Sequence, residues 1–215
     1  EGVLDENSIA QARDADIVCL FVDSVVDQNV MAALPNLKFI ATRSTGYDHI
    51  DCEYAAKKGV KISNVPGYGS HTVAEFAFGL ILNLSRNILT ANSYLRRTSD
   101  FNYDDSLEGF ELAGKTLGVI GTGQIGKNVV KIAKGFGMNV VACDLYPDQD
   151  FAEENDFEYK NFKEVLAAGD ILTLHVPYTQ ENHHLINKEN VSLMKKGVYL
   201  INTARGELVD TAALM

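Results

Sequence analysis

Three glycines carry the clearest chemistry in this chain. They stand at positions 121, 123 and 126, in the stretch GVIGTGQIG (118–126). A bare Gly-x-Gly-x-x-Gly is weak, because glycine triplets arise by chance. Here it closes an apolar run that reads as a strand and opens a helical pattern, inside a βαβ unit of about thirty residues. Each glycine has its own physical task. Gly121 permits a tight turn. Gly123 lacks a Cβ, so a pyrophosphate can approach the backbone. Gly126 lets the helix pack closely on the strand. The helix opening at Gln124 and Ile125 turns free N–H groups toward the phosphates, aided by its dipole. Asp144 ends the next strand, 18 positions after Gly126. Its carboxylate suits the hydroxyls of an adenosine ribose and repels a 2′-phosphate, so the pattern points to NAD rather than NADP. The plain alternative is a tight strand–helix turn that holds nothing.

Other reactive side chains do not assemble. His49 and His71 are scattered, and His183 and His184 are adjacent, hence on opposite faces of any regular element. No metal site is expected. Cys19, Cys52 and Cys143 lie far apart without CxxC spacing. They are expected to be reduced and mostly packed, which suits a cytoplasmic chain. The net charge of −10, from 29 acidic and 19 basic side chains, argues against a nucleic-acid partner. The longest apolar stretch, FAFGLILNL (76–84), is too short to span a bilayer, and no signal-like segment opens the sequence.

The elements that must position these residues follow from the pattern. Strands are expected at 17–22, 38–44 and 61–66, with a helix at 51–59 closed by Gly59. One long helix is expected over 71–97, with apolar residues at steps of three, four and one. A loop rich in Asp and aromatics follows, from about 98 to 114. A second series then runs strand 116–121, helix 124–137, strand 139–144, helix 162–169, strand 170–176, helix 187–197 and strand 198–204. Strand and helix alternating at this spacing predict α/β domains with parallel sheets. The domain boundary is placed at the end of the long helix, giving 1–97 and 98–215.

Three further stretches sharpen the reading: RSTGYDHID (43–51), NVPGYGSHTVAE (64–75) and INTARGELVD (201–210). With VIGTGQIG and LHVPYTQENHHLI (174–186), they resemble the D-isomer-specific 2-hydroxyacid dehydrogenases, closest to the D-lactate dehydrogenase branch. The resemblance implies hydride transfer between a nicotinamide and C2 of a small 2-hydroxy or 2-oxo acid. It implies a flavodoxin-like substrate domain, a Rossmann NAD-binding domain, and an active site in the cleft. Arg205 then matches the arginine that binds the substrate carboxylate and polarises the reacting carbonyl, a task suited to its fork geometry. Thr45 and Gly46 match positions whose backbone N–H groups bind that carboxylate, and Tyr68 matches a tyrosine lining the pocket of the lactate-type branch. His175, Val176 and Pro177, with Thr203 and Ala204, fall on the cofactor side. His175 is not the proton donor. The resemblance also implies a homodimer.

The family's catalytic set further includes a glutamate and a histidine, both well beyond the NTARG segment. This chain ends ten residues after Arg205. It is therefore expected to be a fragment, incomplete at both ends and inactive as it stands, since loss of a general acid alone costs about 10²–10⁴-fold. Other substrates compatible with the scaffold are hydroxypyruvate, glyoxylate, phenyllactate and phosphoglycerate. A non-catalytic NADH-sensing module is the alternative from another class.

Overall fold

The computed structural model describes residues 2–5, 7–102 and 105–215. Tyr103 and Asp104, in the expected Asp-rich loop, lie outside the described residues. The chain divides into two compact units, Glu1–Gly69 and Ser70–Met215.

The first unit runs α1 (Ile9–Ala12), β1 (Ile17–Leu20), α2 (Gln28–Ala32), β2 (Phe39–Thr42), α3 (Cys52–Lys58) and β3 (Lys61–Ser63). Its strands are parallel in the order β1-β2-β3, with Ile17 opposite Phe39 and Phe39 opposite Lys61. Along β1 the side chains alternate, so Val18 and Leu20 enter a core with Met31, Leu34 and Ile40. The helices are capped as their sequences suggest. The Asp27 carboxylate accepts from the Val30 N–H, and Asp51 from that of Tyr54. Gly59 closes α3 at φ 76°.

The same alternation corrects the expectation that the cysteines are mostly packed. Cys19 faces outward on β1 and Cys52 is the first residue of α3, and both are exposed. Only Cys143 is half-buried. Burial, reinforced by the Asp144 charge, pushes its thiol up to about 12. All three are free thiols.

The second unit opens with α4 (Ser70–Ser85) and α5 (Ile88–Thr98). It continues β4 (Thr116–Ile120), α6 (Gln124–Gly135), β5 (Asn139–Cys143), α7 (Gln149–Glu154), β6 (Glu158–Tyr159), α8 (Phe162–Ala168), β7 (Ile171–Leu174), α9 (Lys188–Val191) and β8 (Tyr199–Asn202). Its five strands are parallel in the order β6-β5-β4-β7-β8. That is the doubly wound arrangement, with the direction of winding reversed between β4 and β7. All four residues of β7 are buried, as a strand covered on both faces requires. One face packs against Ala77, Phe78 and Ile81 of α4 and Val129 and Ala133 of α6. The other packs against Val165 and Leu166 of α8, with Ile186 and Leu208.

The expected long helix is broken in two. Asn87 adopts a left-handed conformation at φ 52°, and its side-chain amide donates to the Glu108 carbonyl. The returning segment takes up the end of α4: the Phe110 N–H donates to the Ser85 carbonyl at 2.8 Å. Gly109 makes that approach possible, since an added Cβ would lie 2.1 Å from the same oxygen. Apolar periodicity runs straight through the break because it does not register a partner arriving from elsewhere in the chain. Helix α4 packs on α6, so the compact division falls at Gly69/Ser70 whereas the sequence reading set its boundary at 97.

The helix expected over 187–197 keeps α-helical winding only through Val191. After it, hydrogen bonds run from Ser192, Leu193 and Met194 to carbonyls three residues back. This tighter winding turns Val191, Leu193, Met194 and Val198 toward the β7 side of the core. The sequence reading missed α7 and β6, yet α7 carries a signal. Asp148 caps it by accepting from the Phe151 N–H at 3.1 Å.

Candidate functional site

The glycine loop lies at the carboxyl ends of β4 and β5, beside the reversal of strand order. Crevices for ligands form at that place in open α/β sheets. Gly121 has φ 94°, a conformation that L side chains rarely adopt. It is also crowded: a Cβ there would lie 2.9 Å from the His175 carbonyl and 2.8 Å from Cγ1 of Val176. Gly126 is closed in for another reason. Its Cβ would lie 2.0 Å from the Gly121 carbonyl oxygen, so only glycine lets α6 start this close to the strand end. Around Gly123 nothing lies within 4 Å of an added Cβ, and no side chain caps the helix it precedes. The first main-chain bond of α6 is from Lys127 N–H to the Gly123 carbonyl, so the N–H groups of Gln124, Ile125 and Gly126 precede the ladder. An exposed glycine before a helix with uncapped N–H groups leaves room for a pyrophosphate against the backbone, and these residues fit a dinucleotide.

Asp144 follows β5 and reaches back to the same loop. Its Oδ2 accepts from the Thr122 N–H at 2.6 Å and the Thr122 hydroxyl at 3.0 Å, and its Oδ1 accepts from the Tyr146 N–H at 2.9 Å. Burial by itself raises the pKa of this carboxyl. The donors from Tyr146, Thr122 and Leu145 outweigh it and hold the group below its ordinary value. Asp144 is therefore a fixed negative charge beside the glycine loop at neutral pH. Thr122 bonds in turn to the Tyr159 hydroxyl at 2.7 Å. Neither Thr122 nor Tyr159 was singled out from sequence, because their connection is made only when β4, β5 and β6 lie side by side.

His175 follows β7 and is hydrogen-bonded through Nε2 to the Thr173 hydroxyl at 2.9 Å. Burial pushes its imidazole down to about 4, so it is neutral at working pH. Val176 packs with the buried cluster under β7, while Pro177 is exposed and its carbonyl accepts from the Asn182 side chain at 2.8 Å. The ends of β4, β5 and β7 thus bring Gly121, Asp144, His175 and Val176 to one rim.

The loop after β8 stands next along the sheet. Asn202 pins it from both sides, accepting from the Ala204 N–H at 3.0 Å and donating to the Arg205 carbonyl at 2.7 Å. Ala204, like Val176, packs against the buried cluster beneath β7. Among the described residues, Thr203 Oγ1 is the buried side-chain oxygen without a hydrogen-bond partner. The half-buried Arg205 donates from Nη1 to the Ala204 carbonyl at 2.9 Å, which folds the guanidinium onto its own loop.

In the first unit, the loop after β2 is stiffened by a chain of hydroxyls. Ser44 donates to the Gly46 carbonyl at 2.6 Å, so its oxygen accepts from Thr42, also at 2.6 Å. Thr42 is left as the acceptor for Nε2–H of His49 at 3.3 Å. Thr45 donates to the Val65 carbonyl, and Asn64 donates to the Thr45 carbonyl, each at 2.9 Å. The structure thereby brings the stretch holding Thr45 and Gly46 against the one that leads to Tyr68. Tyr68 itself is 62% exposed. Thr42, Ser44 and Asn64 are the supporting residues that sequence reasoning missed. Among the described residues, no group of His, Cys, Asp and Glu side chains could hold a metal ion.

The family profile described as "D-isomer specific 2-hydroxyacid dehydrogenase, NAD binding domain" matches residues 78–215. The chain is 39% identical over 214 residues to the D-lactate dehydrogenase of Escherichia coli, covering 98% of this chain and 64% of that protein. It is 37% identical over 212 residues to the glyoxylate reductase of Thermococcus litoralis, covering 96% of this chain and 64% of that protein. The solved structure of the Aquifex aeolicus D-lactate dehydrogenase, complexed with NAD and lactic acid, superposes with a TM-score of 0.89 at 42% identity. That match covers 96% of this chain and 61% of the other. The chain thus spans under two thirds of the length of these relatives.

Proposed function

The chain belongs to the D-isomer specific 2-hydroxyacid dehydrogenase family, whose NAD-binding domain it carries, and on that premise we propose that it serves an NAD-dependent interconversion of a D-2-hydroxy acid and its 2-oxo acid. The substrate we propose is lactate-like. The observation that carries the reading is the open Gly123 backbone beside an ionised Asp144, at the reversal of strand order in the sheet.

The chemistry a bound NAD would supply is hydride transfer to or from C2 of the acid. The residues of the chain bind and orient. Gly121, Gly123 and Gly126, with the N–H groups of Gln124 and Ile125, hold the pyrophosphate. Asp144 accepts from the adenosine ribose. His175, Val176, Pro177, Thr203 and Ala204 line the nicotinamide side. Arg205 pairs with the acid's carboxylate and draws electron density from the C2 oxygen, and Thr45, Gly46 and Tyr68 complete the acid's contacts. His175 does not deliver the proton, because burial holds its imidazole neutral down to about pH 4. A homodimer is part of the proposal, supported by exposed apolar side chains on α4 and α5 such as Phe76, Ile88 and Leu89. So is a cytoplasmic location, supported by the three free thiols.

The relative named glyoxylate reductase supports a second reading, with glyoxylate as the oxo acid. The test is NADH oxidation by the protein that carries this chain, against pyruvate, phenylpyruvate, hydroxypyruvate and glyoxylate. Preference for pyruvate with a D-configured product is the expected result. Preference for glyoxylate would move the assignment to the second reading. NADH binding with turnover of none would replace it with a sensing module.

A further inference from the structure

Asp144 does not stand alone at the adenosine end of the loop. Its Oδ2 meets both the N–H and the hydroxyl of Thr122, and the Thr122 oxygen lies 2.7 Å from the phenolic oxygen of Tyr159. The direction of these bonds follows from counting protons. An ionised carboxylate only accepts, so the single hydroxyl proton of Thr122 goes to Asp144. The proton between Thr122 and Tyr159 then belongs to Tyr159. The result is a directed chain, Tyr159 to Thr122 to Asp144, that runs from β6 to the loop after β4 and back to the end of β5.

We propose that Tyr159 is a positioning residue for cofactor selection, which acts through Thr122 to hold the Asp144 carboxylate in place for a ribose bearing free 2′- and 3′-hydroxyls. This rests on the assignment of Asp144 to the adenosine ribose. Four features of the fold support it. Tyr159 is fixed at its ring, which packs edge-on against Phe157 with centroids 5.1 Å apart. Thr122 is buried, so its hydroxyl depends on these two partners in place of water. Thr122 also lies between Gly121 and Gly123, so the chain couples the carboxylate to the backbone that receives the phosphates. Strand β6 is only two residues long and pairs through Val141 with Glu158 and Ala142 with Tyr159. That register places the tyrosine where it reaches the loop. A hydroxyl at position 159 thus has a use beyond packing, which phenylalanine would serve equally well.

The test compares NADH and NADPH binding to the 215-residue chain by fluorescence titration, in Asp144→Ala, Tyr159→Phe, Thr122→Val and Thr122→Ser, with melting temperature followed in each. Tyr159→Phe is expected to weaken NADH binding by about three- to tenfold, one lost hydrogen bond to a charged chain. NADPH binding should stay within about twofold, so that the preference shrinks. Thr122→Val should reproduce this and Thr122→Ser should restore it, which a packing role would not do. If Asp144→Ala removes the preference while Tyr159→Phe and Thr122→Val leave it whole, Asp144 keeps its role and the positioning proposal is overturned. If Asp144→Ala leaves NADH binding unchanged, the ribose assignment itself falls and takes the proposal with it.

Discussion

Gly123 and Gly126 stand three residues apart and answer to different constraints. Gly126 is closed in by the Gly121 carbonyl, 2.0 Å from where its Cβ would sit, whereas Gly123 has open space there. Gly126→Ala is expected to cost about 1–3 kcal/mol of stability, because backbone must move to admit the methyl. Gly123→Ala meets no such clash and should cost less, about 0.5–1 kcal/mol, because Gly123 is the N-cap of α6 and alanine caps more poorly than glycine. NADH affinity should nevertheless fall by at least about tenfold in Gly123→Ala, since the methyl takes the ligand's space. Denaturant melts and NADH titrations on the two variants separate folding from binding. If Gly123→Ala binds NADH normally, the loop does not hold the pyrophosphate.

His175 makes the second prediction at this scale. In the unfolded chain it takes up a proton near 6.5, and in the folded chain only near 4, because burial opposes the charge. The unfolded state therefore binds more protons in that window, and stability is lost as pH falls from 6.5 to 4. The slope from this group is at most about 1.4 kcal/mol per pH unit. His175→Asn should flatten the pH dependence of urea unfolding in that range. An unchanged slope would mean that another group sets it.

At the scale of elements, the junction of α4 and α5 is made by a segment that arrives from 21 residues further on, when Asn87 reaches the Glu108 carbonyl. Gly79 and Gly109 test that account. Gly79 lies inside α4 with nothing within 4 Å of an added Cβ, so Gly79→Ala should gain about 0.5–1 kcal/mol from helix propensity alone. Gly109→Ala would place its methyl 2.1 Å from the Ser85 carbonyl oxygen and should lose about 1–3 kcal/mol. Chemical denaturation of both variants reads the difference. Equal effects would mean that the 108–110 crossing does not terminate α4.

At the scale of the whole molecule, the assigned residues divide by unit. Every residue proposed for NAD lies in Ser70–Met215, while Thr45, Gly46 and Tyr68 lie in Glu1–Gly69. The first unit has a core of its own around Val30, Met31 and Ile40. Thr45→Ala and Tyr68→Phe are therefore expected to leave the Kd for NADH within about twofold, about 0.4 kcal/mol. Both should weaken binding of the 2-oxo acid to the NADH-loaded protein. Isothermal titration of each ligand is the measurement. A large loss of NADH affinity in either variant would contradict the division.

Local sequence was sufficient for whatever depends on short-range order. The glycine triplet, the closing strand before it, Asp144 at the end of the next strand and Gly59 at the end of α3 are all fixed by neighbours a few residues away, so spacing reveals them. The α/β alternation and the parallel sheets follow from the same periodicities. The roles proposed for Arg205, Thr45, Gly46 and Tyr68 come from the resemblance, since spacing alone would not single them out. Contacts between distant segments were decided only by the tertiary structure. The break at Asn87 needs the 108–110 segment, and the tightened winding after α9 needs the core beneath β7. The outward Cys19 depends on which face of β1 the core covers. The Tyr159–Thr122–Asp144 chain exists only because β6, β4 and β5 end together. A hydrogen bond between residues 37 positions apart leaves no periodic trace in sequence, since its geometry is set by the order of strands in the sheet.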